Sequence, residues 1–285
     1  FSASVSGSGT SWTATHQVQA GETGGVAFVI GYTDIAGNAG SQVTSVTDST
    51  AVTVDTTAPT VNTTVHSITS TKSDGSYKAG VEIDITVKFS ETVTVSGTPQ
   101  LTLETGTSDA VVNFYGGSGT DTLTFRYTVG AGHTSADLDY ASTSALALNG
   151  GTIKDAAGNN AVLTLPSPGA TGSLGNSKAI VIDTTAPTVS NVTSSTGDGT
   201  YKIGDTISIQ VVFDETIVVT GTPQLTLETG TSDAVVNYNS VTGLTTTTIT
   251  DDTMTFTYTV GAGHDNAGLD YESTTALALN NGTIK

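Results

Sequence analysis

A long internal repeat constrains the fold of this chain more than any other feature. Residues 74 to 115, DGSYKAGVEIDITVKFSETVTVSGTPQLTLETGTSDAVVNFY, match residues 198 to 238 after a shift of 124 positions. The match resumes after an insertion of seven residues around 239 to 252, which is typical of a lengthened hairpin loop. Because repeats of this length form separate structural units, we expect similar modules in tandem.

Two copies of one phrase mark the boundaries between these modules. VDTTAPTV begins at residue 54 and IDTTAPTV begins at residue 182. The second copy of the repeat stops at GTIK, where the first continues into DAAGN. The sequence therefore predicts the end of a truncated module at 1–58, a complete module at 59–186, and a module without its final strand at 187–285.

Strict alternation of apolar and polar residues indicates β-strands throughout. In the first copy, Ile83, Ile85, Val87 and Phe89 share one face of a strand, and the polar residues between them share the other. Such runs, bounded by Gly, Asp, Asn and Pro, predict an all-β antiparallel sandwich with one face of each sheet buried. Further rows with this alternation are Leu123, Phe125, Tyr127, Val129; Ile207, Ile209, Val211, Phe213; and Met254, Phe256, Tyr258, Val260.

The charge balance narrows the range of partners. The chain has 26 acidic and 8 basic residues and a formal net charge of -18, so neither nucleic acid nor an anionic lipid surface is expected to bind. No run of about 18 apolar residues is present, and we expect no membrane insertion. The absence of cysteine excludes disulfides, so another stabilising device is expected.

The sequence carries no recognisable catalytic motif, and we expect that the protein is not an enzyme. There is no cysteine nucleophile, G-x-S-x-G, H-E-x-x-H or Walker loop. His133 and His264 occupy equivalent turns, which the repeat explains better than catalysis does. Trp12, the single tryptophan, is expected in a core rather than as a platform for a sugar.

Several phrases resemble a known family. DTTAPTV, YKAG, KFSETVTVSGTPQLTL, TLTFRYTVGAG and LALNGGTIKDAAGN are similar to the bacterial Ig-like repeats of giant secreted surface proteins and RTX-type adhesins, especially to SWM repeats. The resemblance covers residues 59 to 285 nearly throughout, while residues 1 to 58 resemble the end of a related Ig-like type. It implies tandem Ig-like antiparallel β-sandwiches in an elongated array, as extracellular, often calcium-stabilised stalk modules in adhesion or biofilm proteins at the bacterial cell surface.

The expected function is therefore a structural extender, whose partners are the neighbouring Ig-like repeats of the same chain. Two alternatives remain open. One is a module whose varied loop at 239 to 252 binds glycan or a host or cell surface. The other is a filament subunit, in which the last module takes its final strand from the first 58 residues of the next chain.

Strand parity brings several carboxylates to one end of the middle module. If seven strands alternate in direction, Asp55 at the entry, Glu91 in a turn ending the second strand, and Asp155 with Asn159 in the DAAGN turn share a pole. This prediction assumes that AVLTL and KAIVID form one interrupted final strand. Because adjacent carboxylates repel and Ca²⁺ takes six to eight oxygen ligands, a calcium ion is expected at this joint.

The same reasoning extends to the neighbouring joints. Asp183, Asp214 and Glu215 are expected at the second joint, where a DAAGN counterpart is missing, and Asp34 with Asn38 would serve the upstream one. The alternative is that the Asx side chains of Asp34, Asn38, Asp155 and Asn159 only cap tight turns. At the opposite pole, Asp74, Asp137 and Asp139 form a weaker candidate for calcium.

Overall fold

The computed structural model describes residues 3–238, 246–247 and 252–285, and these residues are almost entirely β. The all-β prediction is confirmed. The chain divides into two compact units, Phe1–Thr184 and Thr185–Lys285. Within the described ranges, no helix is long and apolar enough to cross a membrane.

The elements are numbered in chain order, with strands β1 to β13 and helix α1 in the first unit and β14 to β23 in the second. In the first unit they are β1 (Ser4–Ser8), β2 (Ser11–Thr15), β3 (Gly24–Gly25), β4 (Thr53–Val54), β5 (Ile68–Ser70), β6 (Gly75–Tyr77), β7 (Glu82–Ser96), β8 (Gln100–Leu103), β9 (Ala110–Gly116), β10 (Thr120–Thr128), β11 (Leu146–Ala147), β12 (Thr152–Lys154), α1 (Leu174–Ser177) and β13 (Ile180–Ile182). In the second they are β14 (Val189–Ser194), β15 (Thr206–Phe213), β16 (Val219–Thr220), β17 (Gln224–Glu228), β18 (Ala234–Asn237), β19 (Thr246–Thr247), β20 (Thr253–Thr259), β21 (Asp270–Tyr271), β22 (Leu277–Ala278) and β23 (Thr283–Ile284).

Residues 3–58 form local strand pairs without a core of their own. Strands β1 and β2 make a hairpin, and β3 pairs with β4. No residue of this range is buried. The expectation that Trp12 lies in a core is wrong: its side chain is 64% exposed, and its indole N–H donates to the carbonyl of Gly9.

The middle of the first unit is a curled antiparallel sheet with the order β11-β8-β9-β10-β7-β12, to which β5 adds by pairing with β7. The alternation predicted from the sequence sets its buried face. Phe125 lies opposite Ile85 across the β10 and β7 pair, and both side chains are fully buried. The predicted apolar rows of both repeats lie in the cores, fully or in part.

Strand β7 differs from the prediction that a turn at FSET ends the second strand. It continues through FSET for fifteen residues, because its first half pairs with β10 and its second half pairs with β12. A pronounced bulge replaces the expected turn. Lys88 lies opposite Thr122 and Val93 lies opposite Thr120, so the four residues between them leave the β10 ladder.

The last part of the first unit closes over the core. The expectation of one interrupted final strand is wrong: Val162 makes a single parallel bridge with Thr60, and strand β13 follows only after a loop and α1. The loop contains Pro166 and Pro168, which lack the N–H group that a strand needs, and Gly169 has a φ of 76°. Strand β13 then pairs in parallel with β6.

The second unit repeats several of these strand pairings in shorter pieces, divided among three sheets. Its sheets are β14-β15-β20, β19-β16-β23, and β18-β17-β21 with β22 also on β17. The chain bends at residues 214 and 215, where the first unit has its continuous β7. The two units have separate hydrophobic cores.

Candidate metal centre

Three carboxylates lie together in the first unit. Asp55, Glu91 and Asp155 each offer an oxygen atom, and these atoms all lie within 4.8 Å of one another. These are the three carboxylates that strand parity predicted to share a pole. Within the described part of each unit, no other group of three or more His, Cys, Asp or Glu side chains is this close.

The local backbone explains why the three residues meet. Asp155 follows β12, whose Lys154 pairs with Thr94 of β7, so Asp155 lies just beyond the pair, near Glu91. Glu91 lies in the β7 bulge, beside Ser90, whose N–H donates to the carbonyl of Thr60 in the incoming chain at 2.8 Å. The bulge therefore holds the glutamate against the incoming chain that also carries Asp55.

Asn159 ties the incoming chain to the DAAGN turn. Its amide nitrogen lies 2.7 Å from Oδ2 of Asp155, 3.1 Å from the carbonyl oxygen of Asp55 and 3.3 Å from that of Thr57. The side chain donates hydrogen bonds through this nitrogen and positions the acidic residues. The backbone N–H groups of Gly158 and Asn159 both donate to Oδ1 of Asp155.

The three carboxylates differ in their electrostatic environment. Burial raises the pKa of Glu91, and the charges of Asp55 and Asp155 raise it further. Burial also acts to raise the pKa of Asp155, but hydrogen bonds from Asn159 and from backbone N–H groups of the turn outweigh it and lower the pKa. Among the described residues, no basic side chain forms an ion pair with any of the three. The cluster therefore has an uncompensated negative charge.

The donor set and its spacing fit a hard divalent cation. Two oxygens bound to one Ca²⁺ at about 2.3 to 2.6 Å lie no more than roughly 5 Å apart, and the triad meets this limit. The side chains offer only oxygen, without the His or Cys ligands that zinc and copper prefer. The triad can hold a metal ion, and the side-chain nitrogen of Asn159 links Asp155 to the incoming chain.

The predicted upstream pair adopts a compact turn. The N–H of Asn38 donates to Oδ1 of Asp34 at 2.8 Å, and its side-chain amide donates to Oδ2 at 2.8 Å. These hydrogen bonds lower the pKa of Asp34. Turn capping, the alternative considered for this pair, describes these contacts fully.

The residues predicted at the second joint have individual roles. Asp183 follows β13 in the first unit, and its N–H donates to the carbonyl of Tyr77. Asp214 lies in the second unit, where its carboxylate accepts hydrogen bonds from the N–H and hydroxyl of Thr188 at 2.8 and 2.6 Å. Glu215 follows it in the same bend. A calcium site formed by these residues stays a prediction.

The opposite acidic pole is covered by the closing segment of the first unit. Asp139 is 8% exposed and accepts hydrogen bonds from the N–H groups of Gly169 and Tyr140, both at 2.9 Å. Burial raises the pKa of Asp137, and the charges of Asp139 and Asp74 raise it further. Asp74 accepts from the N–H of Ala179 and lies 3.7 Å from the ammonium group of Lys178. Asp74 and Asp139 thus anchor this segment.

Each unit contains a contact between a tyrosine and a histidine. The hydroxyl of Tyr127 lies 2.8 Å from Nδ1 of His133, and the equivalent Tyr258 lies 2.6 Å from Nδ1 of His264. Both histidines stack on their tyrosines.

Arg126 makes contacts that the sequence did not predict. It donates two hydrogen bonds to Asp84, and its guanidinium stacks on the ring of Tyr115, 3.8 Å away.

No protein-family model, curated protein or solved structure matches this chain. The Ig-like resemblance therefore stays an expectation from the sequence. The acidic triad, rather than a relative, is the basis for a functional proposal.

Proposed function

We propose that the chain is a section of an extender, in which tandem Ig-like β-sandwich modules space parts of a secreted bacterial surface adhesin and calcium stiffens the joint before the middle module. One observation carries the proposal. Residues from both sides of the 58/59 boundary supply the three carboxylates, so a single ion would bind the incoming chain to the module that follows. The near identity of the two repeats also suits a spacer, which needs length more than individual surfaces.

Calcium would act on two properties of this joint. It would neutralise the charges of Asp55 and Asp155, which add to the effect of burial in raising the pKa of Glu91, and it would fix the position of Asp55 relative to β7 and β12. At 100 times its dissociation constant, an ion bound only by the folded state stabilises it by about 2.7 kcal/mol. An extender of this kind has no catalytic role. His133 and His264 instead contact Tyr127 and Tyr258.

The test compares Glu91→Gln with Glu272→Gln, which removes an equal charge from an exposed position in the second unit. Glu91 is the informative ligand because, among the described residues, its carboxylate makes no hydrogen bond whose loss would complicate the result. We expect calcium to raise the Tm of the wild type and of E272Q, and to narrow the distribution of interatomic distances in small-angle scattering. E91Q should lose most of both effects.

Either of two results would contradict the proposal. If calcium changes neither Tm nor scattering of the wild type, the triad does not bind it. If E91Q responds as the wild type does, the ion binds elsewhere.

The alternatives differ in their support. The loop proposed to bind glycan or a surface, 239 to 252, lies outside the described residues except for 246–247 and 252. Donation of a strand between chains stays a prediction.

A further inference from the structure

The sequence contains two Asn-Gly pairs, one in each repeat. Asn149–Gly150 and Asn281–Gly282 both lie in the turn between LAL and TIK. Asparagine is among the residues that heat degrades most readily, and a following glycine has no side chain to hinder attack of its nitrogen on the asparagine side chain. The two pairs therefore present the same reactive sequence in two copies of one turn.

The first pair occupies the two central positions of its turn. The N–H of Gly151 donates to the carbonyl of Leu148 at 2.8 Å and closes the turn. The φ angles of Asn149 and Gly150 are 48° and 75°, and positive φ at both central residues is the pattern of a type I′ turn. The N–H of Gly150 is not the closing donor, and it donates no hydrogen bond within the described residues. Both central residues are exposed, so water and base reach them.

The second pair is shifted by one position in the equivalent turn. Asn280 and Asn281 are now the central residues, with φ angles of 47° and 61°. The N–H of Gly282 donates to the carbonyl of Leu279 at 2.7 Å, so the nitrogen next to Asn281 is the one that closes the turn. Gly282 is also buried, and a Cβ atom placed on it would collide with the carbonyl oxygen of Thr220. This nitrogen cannot attack without breaking the turn.

Asn280 separates the two requirements of the reaction. It occupies the same position as Asn149, and the side-chain amides of both residues donate to a carbonyl of the facing turn. Asn149 donates to Thr98 at 3.2 Å, and Asn280 donates to Thr222 at 3.1 Å. The residue after Asn280 is Asn281, whose side chain hinders the attack. Of these three asparagines, Asn149 alone combines a following glycine with a nitrogen that does not close the turn.

We propose that Asn149 is a site of spontaneous deamidation and that the folded turn protects Asn281. The backbone nitrogen of Gly150 loses its proton to a base and forms a bond to Cγ of Asn149, and the side-chain nitrogen leaves as ammonia. The reaction is intramolecular, which favours it through proximity. Water then opens the succinimide ring at either of its carbonyl carbons, giving aspartate or isoaspartate. The net reaction consumes water and releases ammonia, and it does not depend on the calcium joint.

The modification would weaken the turn that precedes β12. An ionised carboxylate cannot donate the hydrogen bond that the amide of Asn149 gives to Thr98. Isoaspartate also lengthens the main chain of the turn. The facing backbone is close, because a Cβ atom placed on Gly97 would lie 2.8 Å from Cα of Gly151. We therefore expect the converted first unit to have a lower Tm.

The test is the ageing of the 285-residue chain in mildly alkaline buffer, because base generates the attacking nitrogen. Mass spectrometry of the digested chain follows each asparagine, with fragment ions that distinguish aspartate from isoaspartate. We expect Asn149 to convert at least tenfold faster than Asn280 or Asn281. In denaturing guanidinium chloride the rates at Asn149 and Asn281 should become similar, since both turns are lost.

Two reciprocal substitutions exchange the turn sequences of the repeats. Gly150→Asn, at a backbone conformation that Asn281 adopts in the second repeat, should slow the reaction of Asn149 at least tenfold. Asn281→Gly should bring the rate at Asn280 close to that at Asn149 in the wild type. Urea unfolding before ageing confirms that both variants are folded. After ageing, the Tm of the first unit should fall in the wild type and stay unchanged in G150N.

Three outcomes would overturn the proposal. If Asn149 reacts in the denatured chain but not in the folded one, the folded turn protects it. If Asn281 reacts as fast as Asn149 in the folded chain, the closing hydrogen bond gives no protection. If G150N ages as the wild type does, the following glycine does not control the reaction. A Tm that is unchanged after complete conversion would contradict the expected weakening of the turn.

Discussion

The two repeats share most of their strand sequences, but their cores differ in how completely they are buried. Both contain GTPQLTLETGTSDAVVN, and the same alternating residues face inward in each. In the first unit the inward face is closed by residues 161–184, while in the second it stays partly open. The comparison shows that alternation decides which face of a sheet is apolar, whereas a segment distant in sequence decides whether that face is buried.

The repeats also differ where the sequence changes a polar network. Arg126 and Asp84 of the first unit, which form an ion pair, correspond to the uncharged Thr257 and Ser208 of the second. At the entry, Ser90 accepts a hydrogen bond from the N–H of Thr60, and Asp214 accepts one from the N–H of Thr188 in the equivalent position. Asp214 thus anchors the start of the second repeat through Thr188.

The largest expected difference between the repeats comes from one pair of leucines. Leu138→Ala should lower the free energy of unfolding of the first unit by about 2 to 5 kcal/mol, because it creates a cavity in a closed core. Leu269→Ala should cost less than about 1 kcal/mol, because its side chain already contacts solvent. Urea unfolding, with the transition of each unit assigned, measures both values. Equal losses would mean that Leu269 is as buried as Leu138 in solution.

A smaller loss of stability is expected at a hydrogen bond that both repeats share. Tyr127→Phe and Tyr258→Phe each remove a hydrogen bond to a histidine in the same arrangement. Each should cost about 0.5 to 1.5 kcal/mol, and the two costs should be similar. The same unfolding experiment measures them. A cost in only one repeat would show that the shared turns are not equivalent in stability.

The smallest effect is a pH dependence specific to the first repeat. Since the folded-state pKa of Glu91 is raised, its contribution to stability is fully present below the ordinary value of 4.5 and is lost as pH rises through the folded pKa. In calcium-free buffer, the stability of the wild type relative to E91Q should therefore fall as pH rises from about 4.5. Thermal unfolding of both proteins across this range measures it.

Calcium should reverse that trend, because the ion binds the ionised carboxylate. Comparison with E91Q cancels other groups, including Asp137, whose pKa is also raised. A relative stability that rises with pH in calcium-free buffer would show that burial and the neighbouring charges do not raise the pKa of Glu91.

The sequence predicted the strands and the acidic triad for physical reasons that are local or periodic. Alternation of two residues identified the buried rows from Ile83 to Phe89 and from Leu123 to Val129. Alternating strand direction placed Asp55, Glu91 and Asp155 at one pole, and this conclusion survived an error in the local structure at FSET. The bulge in β7 leaves Glu91 out of the β10 ladder, and it lies beside Asp55 and Asp155.

Other features depend on pairings that a single sequence does not encode locally. Strand β7 continues through FSET because two different strands pair with its halves. The parallel position of β13 depends on its contact with β6, about a hundred residues earlier. Asp84 and Arg126 lie on ordinary polar positions of their strands, and only the register of β7 and β10 makes them neighbours.

The parallel pairing of β13 with β6 has a mechanical consequence. Both the bridge between Thr60 and Val162 and the pairing of Ile180–Ile182 with Gly75–Tyr77 join the start of the repeat to its end in the same direction. When tension pulls the two ends of the repeat apart, parallel neighbours slide along each other, so their hydrogen bonds are loaded together in shear. An antiparallel pair pulled from one end would instead open one bond at a time. The closing segment therefore also carries the load.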